Sequence, residues 1–484
     1  MKKILSLGPK DWMSGIAQGY HFGSGIWGGG ASGINPFINA QRASTQLGLL
    51  QAGPAVTDLT ASTVVDTPIG WTADFASNGD LKFYFVGTGT IYSSILSSLT
   101  VGAVSAIRTV SNMANGVIAF KAGTESKYLY YFQKTQIGRM LMDNSSPSDN
   151  WATGLVSTVH HPVHRFFDIV FYGNGTALGN VGSIRNASNT ATHAGNELDI
   201  GAEYTITTLS DDGRYLVIGA TKNVGGGNSI YPGTKILFWD TNSSSWEKEW
   251  DLPAPDVISI KKTPSGMYAL TSIGLFIFNF DTPPRQVLNL GTNDTAGVSS
   301  TTGAHYSMDV VGDGVMWGST ARLHYYGKFV AGAPTAYHHL FSVPNGIATM
   351  VCASANHQVV IAGTTNPKFG FYNYSSGTAD TGVSAESIYI DLLDRYSIER
   401  IDVIYGTKLA TGDSVNIGVA TIENGTISDY GGTNASSFAN FGAVSRTKLL
   451  NTSIETENIL IKPTFVGGSA KIKRIDVYGD KIET

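Results

Sequence analysis

SDDGRYLVIGA, residues 210–220, is the stretch whose reading decides the fold: a polar turn running straight into an apolar strand. Asp211, Asp212 and Gly213 are turn formers, and the residues after them are apolar on both faces, Tyr215 and Val217 against Leu216 and Ile218. One such unit occurs in many β proteins, so the informative question is whether it returns.

It does. TKILFWDTNSSSWEKEWDLP (234–253) follows with a strand, a polar turn and another strand, and TPSGMYALTSIGLFIFNFDTPPRQVLNLG (263–291) repeats the same order. Looser copies start at Ser77, Glu125, Phe166, Val310 and Asn356. Aligning the second strand of each copy on Phe83, Tyr130, Val170, Leu216, Tyr268, Val315 and Val359 gives steps of 47, 40, 46, 52, 47 and 44 residues. Several short strands repeated at about 40–50 residues mark a β-propeller, and seven copies predict seven blades. A long sandwich is the competing architecture, but it carries no fixed internal period. Glycines within the copies fall where a strand turns sharply or a neighbouring backbone comes close. The seventh copy lacks its outermost strand, and AVTDLTASTVV (55–65) is the natural donor to complete it.

Composition agrees with this reading. Of 484 residues, 14% are charged and 57 are glycine, while 42% are hydrophobic and 11% aromatic, which describes a packed, turn-rich all-β protein. A net charge of −5 favours neither nucleic acid nor an anionic membrane surface as a partner. Cys352 is the single cysteine, so no intrachain disulfide and no cysteine zinc site is expected. The opening MKKILSLGPKDW has too short an apolar run for a signal peptide, and no run approaches a membrane span. Synthesis and assembly in the cytoplasm are expected.

The flanks differ from the repeats. Residues 383–484 hold six strand-like runs with polar loops, the size of a jelly-roll-like β-sandwich. IERIDVIYG and IKRIDVYGD within them are alike, which predicts equivalent strands on its two sheets. Residues 1–54 are Gly-rich but carry Trp12, Tyr20, Phe22, Trp27 and Phe37, large aromatics that a free linker rarely holds. They read as an extended N-terminal arm whose aromatics anchor on a neighbouring subunit. INAQRASTQLGLLQ (38–51) fits a short helix.

Motifs for chemistry are weak. Gly23-Ser24-Gly25-Ile26-Trp27-Gly28 matches G-x-G-x-x-G without the strand and helix that motif requires. His160, His161 and His164 in HHPVH, and His338–His339, lack a carboxylate cluster and read as loop residues at a blade edge. Sialidase-type propellers need paired carboxylates and clustered arginines, and the S-x-D-x-G-x-T-W box is not found. No catalytic residue, metal or cofactor is expected, and an enzyme is not.

FFDIVFYGNGTALGNVG (166–182), YTITTLSDDGRYLVIGATKN (204–223) and KILFWDTNSSSWEKEWDLP (235–253) resemble the propellers of tailed-bacteriophage virion proteins. IDLLDRYSIERIDVIYGTKLATGDSVNI (390–417) and KIKRIDVYGD (471–480) resemble the small sandwich that trails them. The resemblance covers about residues 65–484 and concerns architecture. Repeat and resemblance together give an all-β chain with a seven-bladed propeller at 55–382 and a jelly-roll-like sandwich at 383–484; the arm at 1–54 lies outside the resemblance. It further implies a structural tail ring, nozzle or tip component located in the virion. Its partners would be copies of itself and other virion proteins. The alternative is a tail-fibre adhesin that meets a host glycan or surface protein, and the third reading is a propeller glycosidase.

Overall fold

The computed structural model describes residues 1–8, 37–38, 40–42, 49–52, 57–58, 66–75, 79–97, 100–101, 104–157, 160–174, 179–222, 233–290, 304–319, 322–327, 335–340, 348–353, 358–363, 369–373, 386–387, 390–406, 410, 413–423, 426–429, 436–439, 445–467 and 470–482. The protein is all-β, and its only helical turn among the described residues is a 3-10 turn at Ala304–Tyr306.

Consecutive strands pair into antiparallel sheets. Sheet 1 orders Pro68–Phe75, Leu81–Gly87, Thr90–Ser97 and Ser105–Thr109, with a short fifth strand at Thr100–Val101. Sheet 2 is Met113–Phe120, Tyr128–Gln133, Gln136–Leu141 and Ser148–Thr153, and sheet 3 is Val163–Phe166, Ile169–Asn174, Asn180–Ala187 and Thr190–Asp199. Sheet 4 runs Tyr204–Asp211, Leu216–Lys222, Thr234–Trp239 and Lys248–Leu252, and sheet 5 Ser259–Thr263, Gly266–Leu270, Gly274–Phe278 and Arg285–Asn289. Sheet 6 holds Met308–Val311, Gly314–Ser319, Arg322–Gly327 and Thr335–Leu340. Sheet 7 joins Ala348–Ala353, Gln358–Gly363 and Phe369–Asn373 to Thr57–Asp58.

All seven alignment residues of the repeat fall in the second strand of their own sheet. The missing strand of the last copy is Thr57–Asp58, registered as Gly370↔Asp58 and Phe371↔Thr57. Val64 and Val65 lie outside the described residues.

By compactness the chain forms two units, one of 57–322 with 343–371, the other of 1–56, 323–342 and 372–484. These units are not contiguous in sequence, unlike the boundaries read from composition.

In the first of these units each sheet's first strand packs on the first strand of the next sheet, through Met308–Val311 against Ala348–Ala353 and finally Ala348–Ala353 against Pro68–Phe75. The second strands are buried on both faces: Leu216, Val217 and Ile218 are all inaccessible, as are Leu129, Tyr130 and Tyr131. Burial on both faces explains why the strands read as continuous apolar runs and not as clean alternation. Between sheets the core is aromatic, with Phe132 on Tyr172 and Phe171 on Trp239, and within sheet 2 Tyr130 packs edge-on against Trp151. Two glycines permit the close approach of first strands. A Cβ on Gly70 would lie 2.0 Å from the Asn115 carbonyl oxygen, and one on Gly116 would lie 2.5 Å from that of His161.

The second unit is organised by its two longest strands. Ser445–Val466 pairs with Ile390–Tyr405 over its first part and with Ser414–Glu423 over its last, so one strand serves two sets of neighbours. Ile472–Lys481 lies between Ile390–Tyr405 on one side and Lys2–Leu7 on the other. Val403, Ile417, Ile461, Ile475 and Val477 fill the core, and Leu7 and Leu50 join it.

Three expectations are corrected here. Lys2–Leu7 is not arm but an integral strand of this sheet, because Leu7 is fully buried and Ser6 and Lys3 bind the buried Asp476. The ends of the segment 38–51 are strands where a helix was expected: Ala40–Arg42 pairs antiparallel with Leu50–Ala52, and Leu50 is drawn into the core opposite Ile472, while residues 43–48 lie outside the described residues. The two alike runs are not equivalent strands of different sheets but antiparallel neighbours in one, with Asp402 opposite Asp476. Two like charges face each other there, and each is answered by an arginine two residues earlier on its own strand, Arg400 to Asp402 and Arg474 to Asp476.

Candidate functional site

Polar side chains concentrate where the first strands of sheets 2 to 5 meet the turn Ala304–Tyr306. The histidines of HHPVH are central to it. His164 is not in a loop, as expected, but in the strand Val163–Phe166, and it does have a carboxylate partner. Its Nε2 lies 2.8 Å from Asp211 Oδ2, and Lys262 Nζ lies 3.7 Å from the other carboxylate oxygen. These three residues sit on adjacent first strands, so a partly exposed His–Asp–Lys row bridges sheets 3, 4 and 5. The His164 hydrogen bond is the largest influence holding Asp211 below the usual carboxylate range; burial opposes it, and the Lys262 charge adds to it. Sequence spacing hid this partnership, because His164 and Asp211 are 47 positions apart, one repeat. The repeat period itself was the available signal.

Asp212 behaves as the sequence predicts. Its Oδ1 accepts the amides of Arg214 and Tyr215 at 2.8 and 2.7 Å, closing the turn between the first two strands of sheet 4.

His161 is buried and links three segments. Its amide donates to Asn115 Oδ1 at 2.7 Å, and its ring nitrogens face the carbonyls of Gly173 (2.9 Å) and Lys134 (3.3 Å). Burial pushes its pKa down, against the carbonyls, which favour the charged ring.

Deeper still, His305 and Tyr306 of the 3-10 turn touch the first strands of sheets 1, 4, 5, 6 and 7. His305 Nδ1 lies 2.8 Å from Thr208 Oγ1. That hydroxyl also accepts the Ile260 amide at 3.1 Å, and Ser259 Oγ donates to the His305 carbonyl at 2.8 Å. The Tyr306 hydroxyl accepts the Val117 amide at 3.4 Å, and burial raises its pKa. Every one of these groups ties one first strand to another or to the turn. The arrangement is a polar brace, and no three His, Cys, Asp or Glu side chains among the described residues are grouped to hold a metal ion.

Trp12, Tyr20, Phe22 and Trp27 lie outside the described residues, as does the Gly23–Gly28 motif. Phe37 is in the short strand Phe37–Ile38, which pairs with Glu386–Ser387. His338 and His339 lie in the strand Thr335–Leu340, and Cys352 in Ala348–Ala353. No helix among the described residues is long and apolar enough to cross a membrane.

Two exposed side chains were not singled out by the sequence. Phe167 is 71% exposed and Leu393 66%, and both have positive φ, +52° and +68°. The remaining positive-φ residues other than glycine, among those described, are Asn, Ser and Thr. Phe167 forms half of the two-residue loop between Phe166 and Ile169, with Arg165 bonded to its carbonyl at 3.1 Å.

No protein-family model matches the sequence, and no curated protein matches it. Similar solved structures include the extracellular domain of a putative hybrid two-component system from B. thetaiotaomicron, at 12% identity and a TM-score of 0.46. The extracellular domain of a putative one-component system from the same organism gives 12% identity and a TM-score of 0.45. Each match covers 71% of this chain, and the chain spans 42% of the length of each of them.

Proposed function

We propose that the protein is a non-enzymatic structural component of a tailed-bacteriophage virion, a tail ring, nozzle or tip subunit. It is built on a seven-bladed β-propeller followed by a jelly-roll-like sandwich. The blade count is supported by the sheet order and by the first-strand contacts that return from sheet 7 to sheet 1. It is also supported by the strand Thr57–Asp58 from before the first repeat, which pairs as the fourth strand of sheet 7.

The observation that carries the structural reading is the use made of polar groups at the blade centre. Asp211, His164, Thr208, Ser259 and His305 each bond a neighbouring strand or the plugging turn. A glycosidase needs a pair of carboxylates left to meet substrate. Here Asp211, on the first strand of sheet 4, is committed to His164 and Lys262. Trp12, Tyr20, Phe22, Trp27 and Phe37 are assigned to contacts with neighbouring subunits, as large aromatics at interfaces generally are.

One observation favours the second reading, a receptor-binding adhesin. Lys2–Leu7, Phe37–Ile38, Ala40–Arg42 and Leu50–Ala52 all pair within their own chain, which leaves less of the N-terminal segment for a neighbour. Immunoelectron microscopy with antibody to this chain separates the readings. Label on a ring or nozzle of the tail supports the first, label on fibre tips the second. Label on the surface of cells that make no particles overturns both.

A further inference from the structure

We propose that Ala304–Tyr306 is an acid-released plug: protonation of His305 expels the turn from the centre of the first strands and opens that centre to solvent. The argument begins with which nitrogen of His305 carries the proton. Thr208 Oγ1 accepts the Ile260 amide, so its own hydrogen is free to point at His305 Nδ1, 2.8 Å away. That direction makes Nδ1 the acceptor and leaves the ring hydrogen of the neutral form on Nε2, and the ring also has a backbone hydrogen bond to Val163. In the neutral form Thr208 keeps both of these bonds; with Nδ1 protonated, the hydroxyl can accept from the ring only by giving up the bond its own hydrogen makes there. A proton on Nδ1 turns an accepted hydrogen bond into two opposed donors, and rotating the Thr208 hydroxyl away leaves its hydrogen without that bond.

The surroundings give no compensation. His305 is 3% exposed, and burial is the main force pushing its pKa well down. The neighbouring groups whose charge acts on it, Lys261 on sheet 5 and His164 on sheet 3, both push its pKa down. Of the carboxylates on the packed first strands, Asp211 on sheet 4 is bound by His164 and Lys262, and Asp74 on sheet 1 by Lys127. Asp309 lies on the first strand of sheet 6, Arg165 on that of sheet 3, and sheet 7 carries Cys352. The turn itself is three residues long, and the side-chain bonds described for it run through His305 and Tyr306.

The sign follows from linkage. A histidine whose folded pKa is lowered stabilises the closed form fully above the ordinary value of about 6.5, and this is lost as pH falls below it. Opening therefore rises about tenfold between pH 7.5 and 5.5. The test is hydrogen exchange on the full chain at those two pH values, corrected for intrinsic rates. Protection should fall about tenfold in peptides covering 304–308 and 258–263, and stay level at 472–481. His305→Asn, whose side-chain oxygen can still accept from Thr208, should abolish the pH dependence. If that variant does not fold, His305→Gln, which can still donate to Val163, takes its place. Equal protection of the wild-type peptides at both pH values overturns the proposal whatever the variants do. So does the same pH dependence in a folded variant.

Discussion

Removing the six residues Lys2–Leu7 tests whether the N-terminal strand is structure or tether. The strand lies along Ile472–Lys481, and Asp476 on that strand is 1% exposed. Ser6 Oγ donates to its Oδ1 at 2.6 Å, and Lys3 Nζ and Arg474 Nε both donate to Oδ2 at 3.0 Å. Deletion leaves the Arg474 bond and takes away the other two. A hydrogen bond to a charged group is worth about 1.5–3 kcal/mol, so the Ser6 bond falls in that range. Lys3 counts for less, about 0.5–1 kcal/mol, because its side chain is 41% exposed and solvent screens it. Leu7, fully buried, adds about 2 kcal/mol. Together these make a loss of about 4–6 kcal/mol in the sheet that holds Asp476, large enough to unfold it locally. Hydrogen exchange of the 472–481 and 398–405 peptides reads this directly. Both should lose protection, while peptides from sheets 2 to 5 keep theirs. Ser6→Ala alone should cost about 1.5–3 kcal/mol in the same peptides. If protection at 472–481 survives the deletion, the strand is dispensable and the energetic reasoning is wrong.

Other perturbations follow from the same geometry. Gly116→Ala forces a Cβ to 2.5 Å from the His161 carbonyl oxygen and should destabilise by about 1–3 kcal/mol in urea unfolding, where an unchanged midpoint refutes the close approach. Phe167→Asn should stabilise by about 1 kcal/mol by relieving the left-handed conformation, with a lower melting temperature as the contrary result. Asp211→Asn should remove the part of the stability that Asp211 supplies. Because its folded pKa is lowered, that part is present above about pH 4 and fades as pH falls below it. The gap between wild type and variant should therefore close in acid, and a gap constant with pH contradicts the His164 pairing.

The repeated units were legible because burial on both faces leaves strands as apolar runs, and each run is bounded by turn residues with a local chemical reason. Asp212, with its two accepted amides, shows this at one turn. The closing strand was legible only by subtraction, from a last copy one strand short. What escaped the sequence was long-range partnership. Nothing local to LSL at the N-terminus says that Ser6 and Leu7 belong beside Asp476, because the chemistry that decides it is 470 residues away. The ends of the segment 38–51 escaped for the same reason: Leu50 follows the core opposite Ile472. His164 looked like a loop residue without a carboxylate until sheet 4 brought Asp211 to it.

The central claim is that this chain is a tail subunit held to its neighbours by Trp12, Tyr20, Phe22, Trp27 and Phe37. A particle-incorporation assay tests it most directly, comparing the wild-type chain with a variant carrying Ser at all five positions. Lys2–Leu7 is kept in both so that the C-terminal sheet stays intact. The account predicts a variant that folds, with normal exchange protection in sheets 2 to 5, but is absent from purified particles. A variant that enters particles at the wild-type level contradicts it.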